Sequence, residues 1–349
     1  MRLRFHWSLS SVGDTMRRAN AAATHSGLPD LRKHQQFARR AEECGIESLL
    51  VAFGFSRPDP MGWAAALGAC TDKVKFLVAV RSGIMSPTYF VQQVNTLSGL
   101  TGGRVCVNVV AGRAPDEQRF YGDFLPHDQR YERTDEFWSI CHSLWRGDGP
   151  VTFTGRYYQV EGAMLRTPFV SAARPEIYLG GSSDQAVALA IKHADCMFTL
   201  PDVPSRLAQR IQPLLDSGTE VGLLVSLISR PTHEEAVEAA YTLVRAAGES
   251  ATQVHGDARR RTDSVGFGSA YDNATRDSQW PTPYLWTGAV PYLGAPSIAL
   301  VGSPDEIVDA LAAYEAVGVS QFLFMGYPDL DQLDFFGAEI LPKVHLGVS

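Results

Sequence analysis

No stretch of the sequence runs to about 18 uninterrupted apolar residues, the length a membrane-crossing helix needs, and the start MRLRFHWSLSS has positive residues without a sustained apolar core. Neither a membrane span nor an export signal is expected. Cysteine is scarce: the five residues Cys44, Cys70, Cys106, Cys141 and Cys196 are odd in number, widely spaced and set mostly among apolar neighbours. They read as reduced, buried thiols of a cytoplasmic protein. Blocks of one charge are missing too, since Lys plus Arg number 31 against 38 for Asp plus Glu, a net −7 with the signs interspersed. Nothing resembles a nucleic-acid footprint, so DNA and RNA are not expected as partners.

Several catalytic signatures are absent as well. There is no His-Glu-x-x-His, no Cys-x-x-Cys, no Gly-x-Ser-x-Gly and no Walker glycine loop, which leaves zinc hydrolysis, triad hydrolysis and P-loop chemistry without support. The nine histidines show no ligand spacing, and no metal site is expected. Gly266-Phe267-Gly268 follows no strand pattern and is no dinucleotide fingerprint. No linker, repeat or low-complexity segment divides the chain, so residues 1–349 read as a single domain.

What is present is an alternation of short β-branched runs with longer helical stretches, in a chain 45% hydrophobic and able to fill a sizeable core. LRFHWSL precedes a helix over Leu31–Cys44, IESLLVAF one over Met61–Cys70, VKFLVAVR one over Thr88–Leu100, and RVCVNVV one over Arg130–Trp145. EIYLG precedes Asp184–His193, DCMFTL precedes Pro204–Leu215, VGLLVSLIS precedes His233–Ala247, and SQFLFMG precedes Gln332–Leu341. Eight such units predict a (β/α)8 TIM-type barrel with insertions, with a doubly wound open sheet as the alternative. Extra length falls at Ser10–Pro29, in the hairpin-like VTFTGRYYQVEGAML, and over Gly248–Pro296 before SIALVG and a helix over Pro304–Val317.

A barrel carries its chemistry on the loops after its strands. The candidates there are Trp7 and Ser10, Phe53 to Arg57, Arg81, Asn108 to Arg113, Gly180 to Ser183, Ser226, and Tyr327 to Asp329. Gly180-Gly181-Ser182-Ser183 sits between a strand and a helix. It reads either as a tight turn with Ser183 as helix cap, or as an anion site whose glycines let backbone N–H groups approach a phosphate. With neither metal nor evident nucleophile, a cofactor is expected to carry the reaction.

KFLVAVRSGIMSPT, TGGRVCVNVVAG, HDQRYERTDEF, IYLGGSSD, RTDSVG, IALVG and GYPDL occur in an order and spacing that resembles the FMNH2-dependent alkanesulfonate monooxygenases of the bacterial-luciferase-like group. The resemblance spans nearly the whole chain. It implies reduced FMN delivered by a separate NAD(P)H-dependent flavin reductase, with O2 as co-substrate adding at the flavin C4a position to give a peroxide that oxygenates a small organic molecule. It further implies a homodimer or homotetramer. Gly181, Ser182 and Ser183 would then receive the FMN phosphate, joined by His127 and Tyr131, and Asn108 would bond the flavin ring edge. Arg276 corresponds to the arginine of a mobile segment that closes over the site, here a lid over 248–296, and Tyr327 is retained after the last strand.

The substrate side departs from that pattern. Arg57 stands where the sulfonate enzymes have a cysteine, Leu224 and Ser226 where they have an Arg and a His, and Asp329 and Val12 where each has a histidine. A plain alkanesulfonate is therefore not the expected substrate. Arg57, Arg276 and Tyr327 are the candidate catalytic residues, and Phe53, Phe55, Trp7 and Trp286 are candidates for lining an apolar chamber. An F420 (deazaflavin)-dependent oxidoreductase on the same barrel and a noncatalytic flavin-binding relative are the alternatives.

Overall fold

The computed structural model describes residues 2–9, 30–55, 57–110, 115–248, 259, 262–276, 278–326 and 329–346. All eight apolar runs are strands: β1 (Arg4–Leu9), β2 (Ser48–Val51), β3 (Lys75–Val80), β4 (Val105–Val109), then, after the hairpin β5 (Val151–Thr154) and β6 (Gln159–Ala163), β7 (Glu176–Gly180), β8 (Cys196–Thr199) and β9 (Glu220–Ser229), with β12 (Val319–Gly326) last. Every neighbouring pair in the circuit β1–β2–β3–β4–β7–β8–β9–β12–β1 is parallel, so the sheet closes on itself as a (β/α)8 barrel. The open-sheet alternative is ruled out by the β12–β1 pairing, Arg4 against Gln321 through Trp7 against Phe324.

Helices return the chain between strands: α1 (Leu31–Glu43), α2 (Pro60–Gly68), α3 (Pro87–Thr101), α4 (Pro115–Phe120), α5 (His127–Arg146), α6 (Asp184–His193), α7 (Pro204–Ser217) and α8 (His233–Ala247). Asp30 caps α1 through Arg32 N–H and Lys33 N–H, and Asp59 caps α2 through Gly62 N–H, which sets those starts locally. The segment before the last strand contains α9 (Val265–Arg276), β10 (Leu285–Trp286), α10 (Val290–Leu293) and β11 (Ala299–Gly302), followed by α11 (Pro304–Glu315). β11 runs parallel to the end of β9 and carries β10 antiparallel on its other edge, so the later part of the anticipated lid is built onto the barrel. The predicted helix Gln332–Leu341 is in fact α12 (Asp329–Phe335), a π turn over Phe336–Ile340, and α13 (Leu341–Leu346). The π turn sets Gly337 against Cys44, where a Cβ would meet the cysteine side chain at 2.8 Å.

Strand residues alternate between two cores. Phe5, Trp7, Val78, Val107, Val225 and Phe324 face outward under the helices, while Leu50, Leu77, Cys106, Tyr178, Phe198 and Leu323 fill the barrel axis. Tyr178 and Phe198 stack at 5.2 Å, and Gly222 leaves the room they need, since a Cβ there would lie 2.4 Å from the Phe198 ring. Below them the axis is polar. Arg4 donates to Glu47 at 2.6 and 2.8 Å, to Glu176 at 2.6 and 2.8 Å, and to the Tyr178 hydroxyl at 3.1 Å. Above Arg4, fully buried His6 bonds Ser48 and Gln321, each at 2.8 Å, and burial lowers its pKa to about 4, so the ring is neutral at pH 7.

Burial acts to raise the Glu47 carboxyl, but hydrogen bonds from Arg4 and Lys75 outweigh it and hold the pKa at about 2, against an ordinary 4.5. A depressed carboxyl contributes its stability in full above the unfolded-state value and loses it as pH falls through the folded-state value. The protein should therefore lose stability between pH 4.5 and about 2. Glu47→Gln should lower the urea-unfolding free energy at pH 7 by on the order of 2–3 kcal/mol and flatten the pH dependence in that window. A variant curve parallel to wild type across the window would show that Glu47 does not carry the effect.

Candidate active site

At the end of the barrel opposite the Arg4 cluster the axis opens into a cavity of about 360 Å³. Its floor and one wall are apolar: Leu50, Ala52, Phe53 and Phe55 from β2 and the loop beyond it, Leu224 from β9, Leu323 and Met325 from β12, and Pro296. The opposite wall is polar and comes from Asn108, His127, Tyr131, Gly180 to Ser183, Thr199 and the first turn of α9, Ser264 to Phe267. Apart from Leu224, midway along β9, the strand-borne parts of the wall lie in the C-terminal halves of their strands, where loops can vary without disturbing the axis.

The Gly-Gly-Ser-Ser turn performs the capping role: Ser183 accepts a hydrogen bond from Ala186 N–H at 3.2 Å and starts α6. Neither glycine needs a left-handed backbone; Gly181 is there for space, since a Cβ would lie 2.7 Å from the Ala186 Cβ and 3.8 Å from the Tyr131 hydroxyl. Ser182 Oγ is buried with no hydrogen-bond partner, and Gly266 of α9 approaches so closely that a Cβ would meet this oxygen at 2.5 Å. Three helices, α5, α6 and α9, begin at this wall, each bringing roughly half a positive charge at its first turn. Burial raises the Tyr131 hydroxyl above its usual range, opposed by its hydrogen bond with Ser183 and the Arg130 charge, so at neutral pH it is protonated. His127 lies tilted against it at 4.9 Å between ring centres and bonds Asp128 at 2.8 Å.

Asn108, paired with Ala79 across β3 and β4, is 8% exposed, and its Oδ1 is buried without a partner. Thr199 Oγ1 on the same wall is likewise unpaired. Such orphaned polar atoms are costly in a finished interior and mark where a ligand is to complete the hydrogen bonding. Arg81 reaches the cavity from the end of β3 and donates to Glu117 of α4 at 2.7 Å, a pair that is almost fully buried. Glu117 also accepts from Phe55 N–H at 3.3 Å, tying the loops after β2, β3 and β4 together.

The structure brings Arg57, Asn108, His127, Tyr131, Gly181, Ser182 and Ser183 to one cavity. Tyr327 and the Arg276 side chain lie outside the described residues, as do Ser10, Val12, the Asp329 side chain and 111–114. Two expectations fail. Trp7 points out of the barrel onto Phe324 and Phe336, because the two-residue strand period that turns His6 and Ser8 to the axis turns Trp7 away. Trp286 is buried outside the barrel beside Trp280 and Tyr241, on the β10 strand that pairs with β11. Glu117 and the first turn of α9 were not anticipated. The signal for the second was RTDSVG itself: Asp263 takes a 2.5 Å hydrogen bond from Arg130, a buried guanidinium of the HDQRY run, and so fixes where α9 begins.

The family model described as luciferase-like monooxygenase matches residues 3–321. Among solved structures, a riboflavin lyase (RcaE) with modified FMN and riboflavin is similar with a TM-score of 0.81 at 21% identity, over 100% of this chain and 93% of that one. EDTA monooxygenase (EmoA) from Chelativorans sp. BNC1 is similar with a TM-score of 0.77 at 18% identity, over 100% of this chain and 95% of that one. An F420-dependent secondary alcohol dehydrogenase in complex with an F420-acetone adduct gives 0.70 at 21% identity, over 99% of each chain.

Gly181→Ala should be destabilised by about 1–3 kcal/mol in urea unfolding, because the new methyl group meets the α6 framework and not a flexible side-chain end. Gly268→Ala, one turn into α9 with nothing within 4 Å of its Cβ position, should stay within about 1 kcal/mol of wild type. Equal stabilities for the two variants would contradict close packing at the turn.

Proposed function

The chain belongs to the luciferase-like monooxygenase family, and from that premise we propose that it is a two-component enzyme using reduced FMN and O2 to oxygenate a small organic substrate other than a plain alkanesulfonate. The observation that carries the reading is the convergence of three helix starts on the buried Ser182 hydroxyl, beside Ser183 and Tyr131. That donor set suits a phosphate, and the unpaired Asn108 Oδ1 suits a ring N–H, so the residues present fit a flavin mononucleotide.

Reduced FMN, when bound, supplies the electrons with which O2 is cleaved. The chain's own residues do the rest. Ser182, Ser183, Tyr131 and the first-turn N–H groups would hold the phosphate, with His127 at the edge of that subsite. Asn108 would set the tilt of the ring system, and Leu50, Leu224, Leu323 and Met325 would keep water from the reacting face. Arg57 stands on the wall of the chamber, and with Arg276 and Tyr327 is proposed to act on the substrate side. A plain sulfonate is disfavoured because Leu224 lies in the wall and Ser226 is committed to the Pro296 carbonyl at 3.0 Å, so neither adds a cation. A separate NAD(P)H-dependent reductase is proposed as the source of reduced FMN. A homo-oligomer is proposed through the α2–α3 face, where Tyr89 and Leu100 are exposed beside Met61 and Leu97.

Equilibrium titration with FMN, reduced FMN, riboflavin and the deazaflavin F420 tests the reading, with FMN in one of its redox states expected to bind more tightly than F420. Replacing Ser182 and Ser183 together by Ala should cost FMN about 1–3 kcal/mol of binding and leave riboflavin nearly unchanged. An equal loss for both ligands would remove the phosphate assignment, and preference for F420 would replace the monooxygenase reading with hydride transfer.

A further inference from the structure

Arg81 is held in the cavity wall with most of its hydrogen-bonding capacity unused. It is 5% exposed, and Nη2 donates to Glu117 at 2.7 Å, but Nε and Nη1 are buried without a hydrogen-bond partner. Those two nitrogens carry most of the N–H donors of a guanidinium, and leaving charged donors dry and unpaired is costly. The neighbouring rings do not meet that need. Phe53 lies 5.0 Å and Tyr121 5.8 Å from the guanidinium carbon, and the two rings are 5.2 Å apart, so both cover the same side of it. A π face attracts a cation without replacing a true acceptor for its N–H groups.

Charge on the wall points the same way. Arg57 also lines the cavity, and a Cβ on Gly54 would lie 3.5 Å from its Cδ and 3.4 Å from Glu117 Oε1, so both arginines approach one carboxylate. Among the described residues that line the cavity, Glu117 is the single carboxylate against these two arginines. A singly charged oxyanion on a ligand supplies both the missing charge and the acceptors that Arg81 lacks. Which oxyanion fits follows from what stands opposite. β9 lies across the barrel from β3, and there Leu224 is apolar while Ser226 is committed to the Pro296 carbonyl. The cationic donors therefore come from the β2 and β3 side. A planar carboxylate can turn both oxygens to that side, whereas a tetrahedral sulfonate keeps a third oxygen pointed elsewhere.

We infer that the substrate of this site carries one carboxylate, seated on Arg81 Nε and Nη1 beside Arg57, with its apolar remainder against Phe53 and the aliphatic wall of the chamber. The inference rests on the reading of the cavity as a flavin site, and extends it to the substrate class.

Calorimetric titration of the FMN-saturated protein, and separately of the FMN-free protein, with 2-naphthoate, 2-naphthamide and naphthalene-2-sulfonate compares a carboxylate, its neutral counterpart and a sulfonate on one ring system. The carboxylate should bind at least about tenfold more tightly than the amide, and more tightly than the sulfonate. Arg81→Gln should remove at least about tenfold of that affinity, and Arg81→Lys should restore only part of it, because a point charge does not reproduce the planar set of donors. Glu117→Gln tests the same seat in the opposite direction. With the resident carboxylate neutralised, naphthoate should bind about three- to tenfold more tightly, a gain that a merely structural Arg81–Glu117 pair would not give. FMN affinity should stay unchanged in all three variants. An amide or sulfonate that equals the carboxylate, or naphthoate affinity indifferent to both Arg81→Gln and Glu117→Gln, would overturn the inference. So would a loss of FMN affinity in place of naphthoate affinity in Arg81→Gln, which would assign the arginine to the cofactor. Failure of the wild-type protein to bind FMN would instead defeat the flavin reading, while the FMN-free titration would still decide the carboxylate seat.

Discussion

A closed barrel of eight parallel strands must fill its own axis, and here the filling begins with one guanidinium. Arg4 on β1 meets Glu47, just before β2, and Glu176 of β7, with Glu220 of β9 at 3.9 Å, so one side chain bridges strands far apart in sequence. A half-buried cation is tolerable only with such compensation, and the compensation requires those strands to face one another across the axis. Removing one carboxylate leaves the others in place but leaves the arginine short of charge at the centre of the closure.

Above that plug the axis changes character in layers, from ions to the neutral His6–Ser48–Gln321 bridge, then to stacked Tyr178 and Phe198, and finally to open space. The cavity is thus the layer the barrel leaves unfilled. Its two walls differ because different elements supply them. Helix starts and hydroxyls come from α5, α6, α9 and the turn after β7, and aromatic and aliphatic groups come from β2 with the loop beyond it, β9 and β12. A ligand with a phosphate at one end and a flat ring at the other matches that division more closely than a uniformly polar one.

The eight strands were legible because each is an apolar run bounded by turns, and a parallel sheet covered on both faces asks for little more. The polar wall was legible where residues lie close in sequence, as in Gly181-Ser182-Ser183 and His127 to Tyr131. Trp7 and Trp286 were misplaced for one reason: an aromatic residue at a strand end is equally compatible with the axis and with the outer layer, and only pairing settles which. Glu117 was missed because nothing local distinguishes it from a solvated glutamate of a short acidic turn.

By itself, then, the sequence determined the alternation that builds a (β/α)8 barrel, the capped turn at the start of α6, and the family to which such an ordered set of motifs is similar. The tertiary structure alone decided how the barrel closes through β12 and β1, which face of each strand looks inward, and that Arg81 pairs with Glu117. The reason is separation along the chain. Arg81 and Glu117 are 36 residues apart, and Arg4 and Glu176 are 172 apart. Interactions of that reach leave no local pattern, because they exist only once the closed sheet has brought the strand ends together.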